Sequence, residues 1–423
     1  MVENKTIPDH DIFSFTMPEF KWINHEWLSD SILYIVEKNL GVFSLIVLYI
    51  LLFAGIVFII SKSKNKFNPL DMMLALVGLI VLSSQFAGIR QQVYSFLFFS
   101  ITLFVLSKKD KRLLWLLPLI FLFWTNLHGG FVLGIFILIL FCAINYRTLL
   151  YPTIVSVLAT FLNPYGLRIY EEVFRTIGDK YLATHIREWL PITHLFNNPR
   201  VVIFFIIFTF FLWLLIKNKK VAVEDKLICL FLFAISIKSL KYIPYFIIAA
   251  LPPVFSITDE WTSAKIDTVR KILKKYSVAI GIIIFLVSFL FIFPNIIPSK
   301  NKFPDYPSKE SLEYLKSDTN KIEIFNYYGW GGYLIRYASE NKYFIDGRMP
   351  SWKTKEKYVF KDYIEASECR GTNEILEKYN ANLVIWPVNK ITKCNFLEEL
   401  KKNEWKEVFN DVNTVILKKD NVL

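Results

Sequence analysis

Residues 41–60 read GVFSLIVLYILLFAGIVFII, a run without a single charge. At about 1.5 Å of helical rise per residue, a stretch of this length matches a hydrocarbon core roughly 30 Å thick. Similar apolar runs lie near 69–88, 91–106, 200–216 and 276–293. The chain has 423 residues, is 54% hydrophobic and has a mean hydropathy of +0.39. The expectation is an all-α polytopic membrane bundle of about ten transmembrane helices, some short or paired as hairpins, with a C-terminal extracytoplasmic α/β domain.

The formal net charge is +12, but its placement argues against a nucleic-acid partner. Basic residues crowd the short connections beside the apolar runs: Lys62, Lys64 and Lys66; Lys108, Lys109, Lys111 and Arg112; Lys217, Lys219 and Lys220; Lys265, Arg270, Lys271, Lys274 and Lys275. Such clustering marks cytoplasmic loops. It places the intervening polar segments on the other side of a cell (plasma or inner) membrane.

On this reading residues 1–40 form an extracytoplasmic loop with a surface helix. Residues 41–293 form the transmembrane domain, with an external loop at about 165–199. Residues 294–423 form the extracytoplasmic α/β domain. Two long apolar runs contain polar breaks, TNLHGG at 125–130 and KSLKY at 238–242. An unbroken helix through the second would bury two lysines at about 2.5–3.5 kcal/mol each, so short-helix hairpins are favoured. The single-helix alternative turns over only residues 147–226 and puts Lys217, Lys219 and Lys220 outside, against the charge pattern. About 40 polar residues precede the first apolar run without a leader to carry them across, and a further span upstream is expected.

The tail alternates strand-like and helix-like patterns. Strands are predicted at 321–326, 342–346, 382–387, 405–410 and 413–418, and helices near 332–339, 353–366, 372–379 and 395–402. Cys142 and Cys229 fall in apolar runs. Cys369 and Cys394 fall in the tail, where an oxidising compartment would let a disulfide persist; sequence leaves the pairing open.

Six segments bring polar groups to the outer side: Asp9–His10–Asp11, His25–Glu26, Arg90–Gln91, Asn126–His128, Arg187–Glu188 and Lys238–Lys241. Ionisable groups at membrane level are costly, so charges of both signs converging on one face suggest a site. Each also has a plainer reading. Asp9 and Asp11 can cap a Pro-Asp turn, and His25 and Glu26 can cap the next helix. Arg90 and Lys241 can snorkel to headgroups, while the glycines after His128 can permit a tight turn or helix contact. Arg187–Glu188 can be a surface pair anchored by Trp189. In the tail, YYGWGGYL at 327–334 and FIDGR at 344–348 read mainly as turns, with Asp346 and Arg348 as a structural pair. No zinc spacing, phosphate loop or nucleophile elbow is present.

The order DIFSFT, NHEWL, GIRQQ, WTNLHGGFVLG, NPYG, REWLP, GWGGYL and FIDGR resembles a broad bacterial family of polytopic membrane proteins. That family is similar to the C-type glycosyltransferases, which use polyprenyl-phosphate sugars. The resemblance implies transfer of a sugar from a polyprenyl-phosphate donor to an extracytoplasmic glycan, lipid or protein acceptor. An acidic residue of the first external loop would be the base. It points to Asp9 or Asp11, with Glu26 third, as catalytic residues. Among the polar groups converging on the outer side, Arg90, His128 and Lys241 are the choices for a phosphate pocket, with His25, Gln91, Asn126 and Glu188 as further substrate-binding candidates. The resemblance implies no resident cofactor, assigns no metal ligand and leaves a divalent metal open. A transporter or flippase would need polar groups through the full membrane depth. A non-catalytic assembly or glycan-binding protein presenting the tail is the other alternative.

Overall fold

The computed structural model describes residues 1–63, 90–197, 199–263, 306–317, 323–390 and 392–419. The chain divides into two compact units, one formed by residues 1–5 and 24–298, the other by residues 6–23 and 299–423. The predicted runs at 69–88 and 276–293 lie outside the described residues, as do 321–322 of the first predicted strand.

The first unit is helical. Trp27–Leu40 (α1) ends at Gly41, whose φ of 78° lets the chain turn sharply into Val42–Ser61 (α2). Gln92–Lys108 (α3) is followed by Leu117–Leu127 (α4) and Phe131–Ile144 (α5). These last two are separated at His128, which adopts an extended conformation. Tyr146–Ala159 (α6), Arg168–Ile177 (α7), Pro199–Lys217 (α8), Val223–Lys238 (α9) and Ile243–Ser263 (α10) complete the unit. The break between α9 and α10 falls at extended Ser239, with Pro244 in the first turn of the helix that follows. Phe96, Phe99, Phe121, Trp124, Phe131 and Phe246 are buried in a common aromatic core.

This architecture corrects the expectation of about ten transmembrane helices. Among the described residues, two helices are long and apolar enough to cross a membrane. They are Val42–Ser61 and, counting the preceding turn, Leu240–Ile257, which is mostly buried within the unit. The reason is length. The polar breaks divide the long apolar runs, leaving α4 with 11 residues and α5 and α6 with 14 each, whereas a span needs about 20. Hydrophobicity counted along the sequence does not distinguish a lipid-facing helix from one apolar because it packs inside.

The second unit is built on a five-stranded sheet of order β2-β1-β3-β5-β4. Its strands are Glu323–Asn326 (β1), Lys342–Tyr343 (β2), Leu383–Pro387 (β3), Trp405–Asn410 (β4) and Thr414–Lys419 (β5). β1 runs parallel to both β2 and β3, and β5 lies antiparallel between β3 and β4. Every residue of β3 is buried, as a strand covered on both faces requires. The β4–β5 turn is held by Asp411, whose Oδ1 accepts the Asn413 and Thr414 amides at 2.7 Å each. Helices Lys309–Ser317, Gly331–Tyr337, Val359–Ser367, Thr372–Lys378 and Phe396–Lys401 complete the unit. Cys369 and Cys394 are joined as a disulfide, their Cα atoms 6.2 Å apart.

Residues 6–23, read from the sequence as part of the leading loop, belong to this second unit. Ser14 bridges Tyr343 in parallel, the Tyr343 amide donates to the Phe13 carbonyl at 3.1 Å, and Thr16 Oγ1 donates to the Phe344 carbonyl at 2.8 Å. The segment thereby extends the sheet beyond β2 and covers its edge.

Candidate functional site

The polar groups gather where the helices of the first unit are interrupted. Glu26 occupies the N-cap position of α1, yet its side chain makes no capping bond. The neighbouring Asn24 does local work instead, its Oδ1 accepting the Glu26 amide at 3.0 Å. That frees the Glu26 carboxylate to face the α4–α5 break. Its Oε1 lies 3.4 Å from Nε2 of His128 and 3.9 Å from Nε2 of His25. The plainer reading of Glu26 as a helix cap therefore does not describe its side chain.

The HGG sequence explains how these groups come so close. A Cβ on Gly129 would meet His25 Cδ2 at 2.9 Å, and one on Gly130 would meet Ser95 Oγ at 2.3 Å and Tyr245 Oη at 2.8 Å. All three distances are shorter than a Cβ tolerates, so the turn as packed admits only hydrogen at these positions.

Asn126 fixes the framework around the break. Its Oδ1 accepts the Trp27 indole N–H at 2.9 Å, while its Nδ2 donates to the carbonyls of Leu122 and Leu162 at 2.8 and 3.0 Å. Asn126 thus joins α1, α4 and the turn after α6. Asp30, one helical turn beyond Glu26, accepts from Asn24 Nδ2 and Gln91 Nε2, both at 2.8 Å. Gln91 is therefore tied to the front of α1.

Arg90 and Glu188 form an ion pair, with Nη1 to Oε2 at 2.6 Å and the guanidinium half exposed. Lys241 Nζ stands over the Trp189 ring at 2.9 Å from its centroid. The Glu188 carbonyl accepts from Ser239 Oγ at 3.2 Å, and the Leu190 carbonyl accepts the Leu240 amide at 3.2 Å. The REWLP and KSLKY segments, about 50 residues apart in sequence, are thus stitched together.

The electrostatics follow from burial and charge. Burial is the main cause that raises the Glu26 carboxyl from 4.5 to about 7. His25 opposes this, Asp30 and Glu188 add to it, and Arg90 opposes it. Burial also drives His128 down to about 3, reinforced by its neighbours His25 and Lys241. His128 is neutral at physiological pH and adds no charge to the cationic side of the site. The arrangement joins a carboxyl poised near neutrality, a neutral imidazole beside it, the Arg90 guanidinium, and the Lys241 amine, which burial draws down to about 7 against the pull of Glu188.

Asp9 and Asp11 lie in the second unit and bond to residues of that unit. Asp9 is exposed and bonds His10 Nδ1 at 2.5 Å. Asp11 is buried, and its oxygens are committed. They accept the amides of Phe13 and Ser14 at 3.1 and 3.0 Å, the Ser14 hydroxyl, and Arg348 Nη2 at 2.9 Å. Arg348 also reaches Asp346 at 2.6 Å and lies between the rings of Phe13 and Trp22, 4.8 and 4.6 Å from their centroids. The turn-capping reading describes Asp11 well.

Asp30, Ser95, Trp124 and Tyr245 complete the site, although the sequence did not single out their roles, and Trp189, read as an interface anchor, joins them under Lys241. Asp30 carried a usable signal, being four residues after Glu26 and so on the same helical face. Among the described residues, no group of three or more His, Cys, Asp or Glu side chains is placed to hold a metal ion. Compared with known proteins, the chain matches no family model and no curated protein.

Proposed function

We propose that this chain is a membrane-embedded glycosyltransferase that moves a sugar from a polyprenyl-phosphate carrier to an extracytoplasmic acceptor, with Glu26 as the general base. The observation that carries this reading is the Glu26 carboxyl itself. It is held near neutrality between His25 and His128, with Arg90 and Glu188 close enough to act on its charge.

In the proposed step, the acceptor hydroxyl gives its proton to Glu26 as its oxygen bonds to the anomeric carbon. The bond from that carbon to the phosphate oxygen breaks, and the electron pair leaves with the polyprenyl phosphate. A base with a pKa near the working pH contributes about 10²–10⁴-fold. Cations placed where negative charge develops contribute several kcal/mol more. Arg90 is suited to that task, and the Glu188 carboxylate on it occupies a seat that a phosphate oxygen would take; Lys241, drawn down by burial to about 7, is the weaker cation there. Asp9 and Asp11, favoured by resemblance alone, are the poorer candidates, because Asp11 is consumed by its own turn and by Arg348.

A lipid setting is supported by the apolar surface of α2, where Phe43, Val47, Ile50, Leu51 and Phe58 are exposed. Exposed apolar area on that scale marks contact with lipid or another protein. The test is purified protein in lipid, supplied with a labelled polyprenyl-phosphate sugar and an envelope extract as acceptor source. Transfer of label supports the reading, and donor left intact with every extract tried contradicts it.

A further inference from the structure

The hydrogen bonds around His128 run in one direction, and that direction decides which nitrogen carries the proton. The Gly130 amide donates to His128 Nδ1 at 2.9 Å. An amide N–H can only donate, so Nδ1 must present its lone pair. Ser95 Oγ lies 2.7 Å from the same nitrogen. The Ser95 oxygen in turn receives the Trp124 indole N–H at 2.7 Å and is bonded to the Tyr245 hydroxyl. Since Nδ1 has no proton to give, Ser95 is the donor in that contact and shares the single Nδ1 lone pair with the Gly130 amide. The remaining ring nitrogen, Nε2, faces Glu26 Oε1 at 3.4 Å.

The sequence builds this relay into rigid parts. Trp124 and Ser95 are fully buried on α4 and α3. The Trp124 indole rests against Gly134 of α5, where a Cβ would meet its Cζ3 at 2.3 Å. The WTNLHGGFVLG segment therefore supplies the start of the relay, its end, and the glycines on which both depend. Ser95 also departs from ordinary helix chemistry. Ser100, on the same helix, bonds back to the Phe96 carbonyl at 2.7 Å, as a serine in an apolar helix usually does.

We infer that Ser95, oriented by Trp124 and acting with the Gly130 amide, is a positioning residue that locks His128 as the neutral Nε2–H tautomer, so that His128 donates toward Glu26 and Glu26, rather than His128, is left to accept a proton. The groups facing His128 are Glu26, His25, Ser95 and Lys241. The relay is a statement of geometry; only its kinetic consequence rests on the transfer reaction proposed above.

The experiment is magic-angle-spinning NMR of ¹⁵N-histidine-labelled full-length protein in lipid, with the His128 signals identified by their loss in His128→Gln. Five histidines make the assignment tractable. The expected spectrum shows His128 with an unprotonated Nδ1 and a protonated Nε2. In Ser95→Ala, where the Gly130 amide alone still holds Nδ1, a minor Nδ1–H population should appear, and in Trp124→Phe, which keeps the ring's bulk, a smaller one should appear while the other histidine signals hold their positions. Transfer by Ser95→Ala should fall about ten-fold or more in kcat with little change in KM, as expected for loss of a supporting hydrogen bond. A protonated Nδ1 in the wild-type protein, or a tautomer unmoved in both variants, overturns the inference. Because the spectrum needs no turnover, a locked His128 in a protein without transfer would overturn the proposed reaction and leave the relay standing.

Discussion

The Nε2 of His128 lies 3.4 Å from Oε1 of Glu26, although the two residues stand about a hundred positions apart in the chain. Neither side chain is spent on its helix. Glu26 sits at the start of α1 without capping it, and His128 sits in the extended break between α4 and α5. The consequences below follow from that pairing and from the frames that hold it.

Titration of Glu26 sets the pH dependence. Its folded pKa is raised from 4.5 to about 7, and a base must be ionised to accept a proton. Transfer should therefore rise with pH and level off above about 7. Stability runs the other way. A carboxyl with a raised folded pKa stabilises the fold fully below 4.5, and that contribution is lost as pH rises through about 7. Melting of wild-type protein should fall relative to Glu26→Gln between about pH 5 and 8, measured by intrinsic fluorescence. A rate that declines across that interval would contradict the assignment.

Arg90 should matter to donor binding more than to the protein's integrity. Its partner Glu188 shares it with solvent, and exposed pairs contribute about 0–1 kcal/mol to stability. Arg90→Ala should raise KM for the lipid-phosphate donor about ten-fold or more, with its melting temperature close to wild type. Equal KM values in steady-state assays would remove Arg90 from the site.

The second unit depends on a buried charge cluster. Asp11 and Asp346 are almost fully buried, and Arg348 bridges them. Removing one partner leaves charge uncompensated in the interior, at about 3–5 kcal/mol. Arg348→Met should lower the denaturant midpoint of this unit in the full-length protein, whereas Asp9→Asn, at an exposed site, should change it little. Unfolding followed by tail-domain tryptophan fluorescence separates the two.

The Cys369–Cys394 bond closes a loop of 25 residues, a cross-link contributing about 3 kcal/mol by restricting the unfolded chain. Cys394→Ser should destabilise the second unit by that order. Wild-type protein from intact cells should resist thiol alkylation at both positions until a reductant is added, as read by mass spectrometry of the tail peptides.

Parts of this molecule are legible from residue types alone, and others are not. The TNLHGG and KSLKY breaks announce themselves, because His, Asn and Lys interrupt apolar runs that would otherwise continue. The tail strands are legible through alternation and turn chemistry, with β4 spanning Trp405–Asn410 as read. The number of spanning helices is not, since an apolar segment such as Leu240–Ile257 looks the same whether it faces lipid or neighbouring helices. Nor is the clamp between Asp11 and Arg348, whose partners are 337 residues apart. Ser95 is the least visible of all. A serine in an apolar helix ordinarily satisfies itself on its own backbone, and only the arrival of Trp124, Gly130 and His128 gives it another task.

The most direct test of the central claim is single-turnover transfer from a labelled polyprenyl-phosphate sugar by wild-type protein, Glu26→Gln and Asp11→Asn, each in lipid and each checked for folding. Loss of the Glu26 carboxylate is expected to slow transfer by about 10²–10⁴-fold, while Asp11→Asn retains the chemical step in whatever fraction stays folded. Transfer undiminished in Glu26→Gln, or abolished in fully folded Asp11→Asn, would contradict the account.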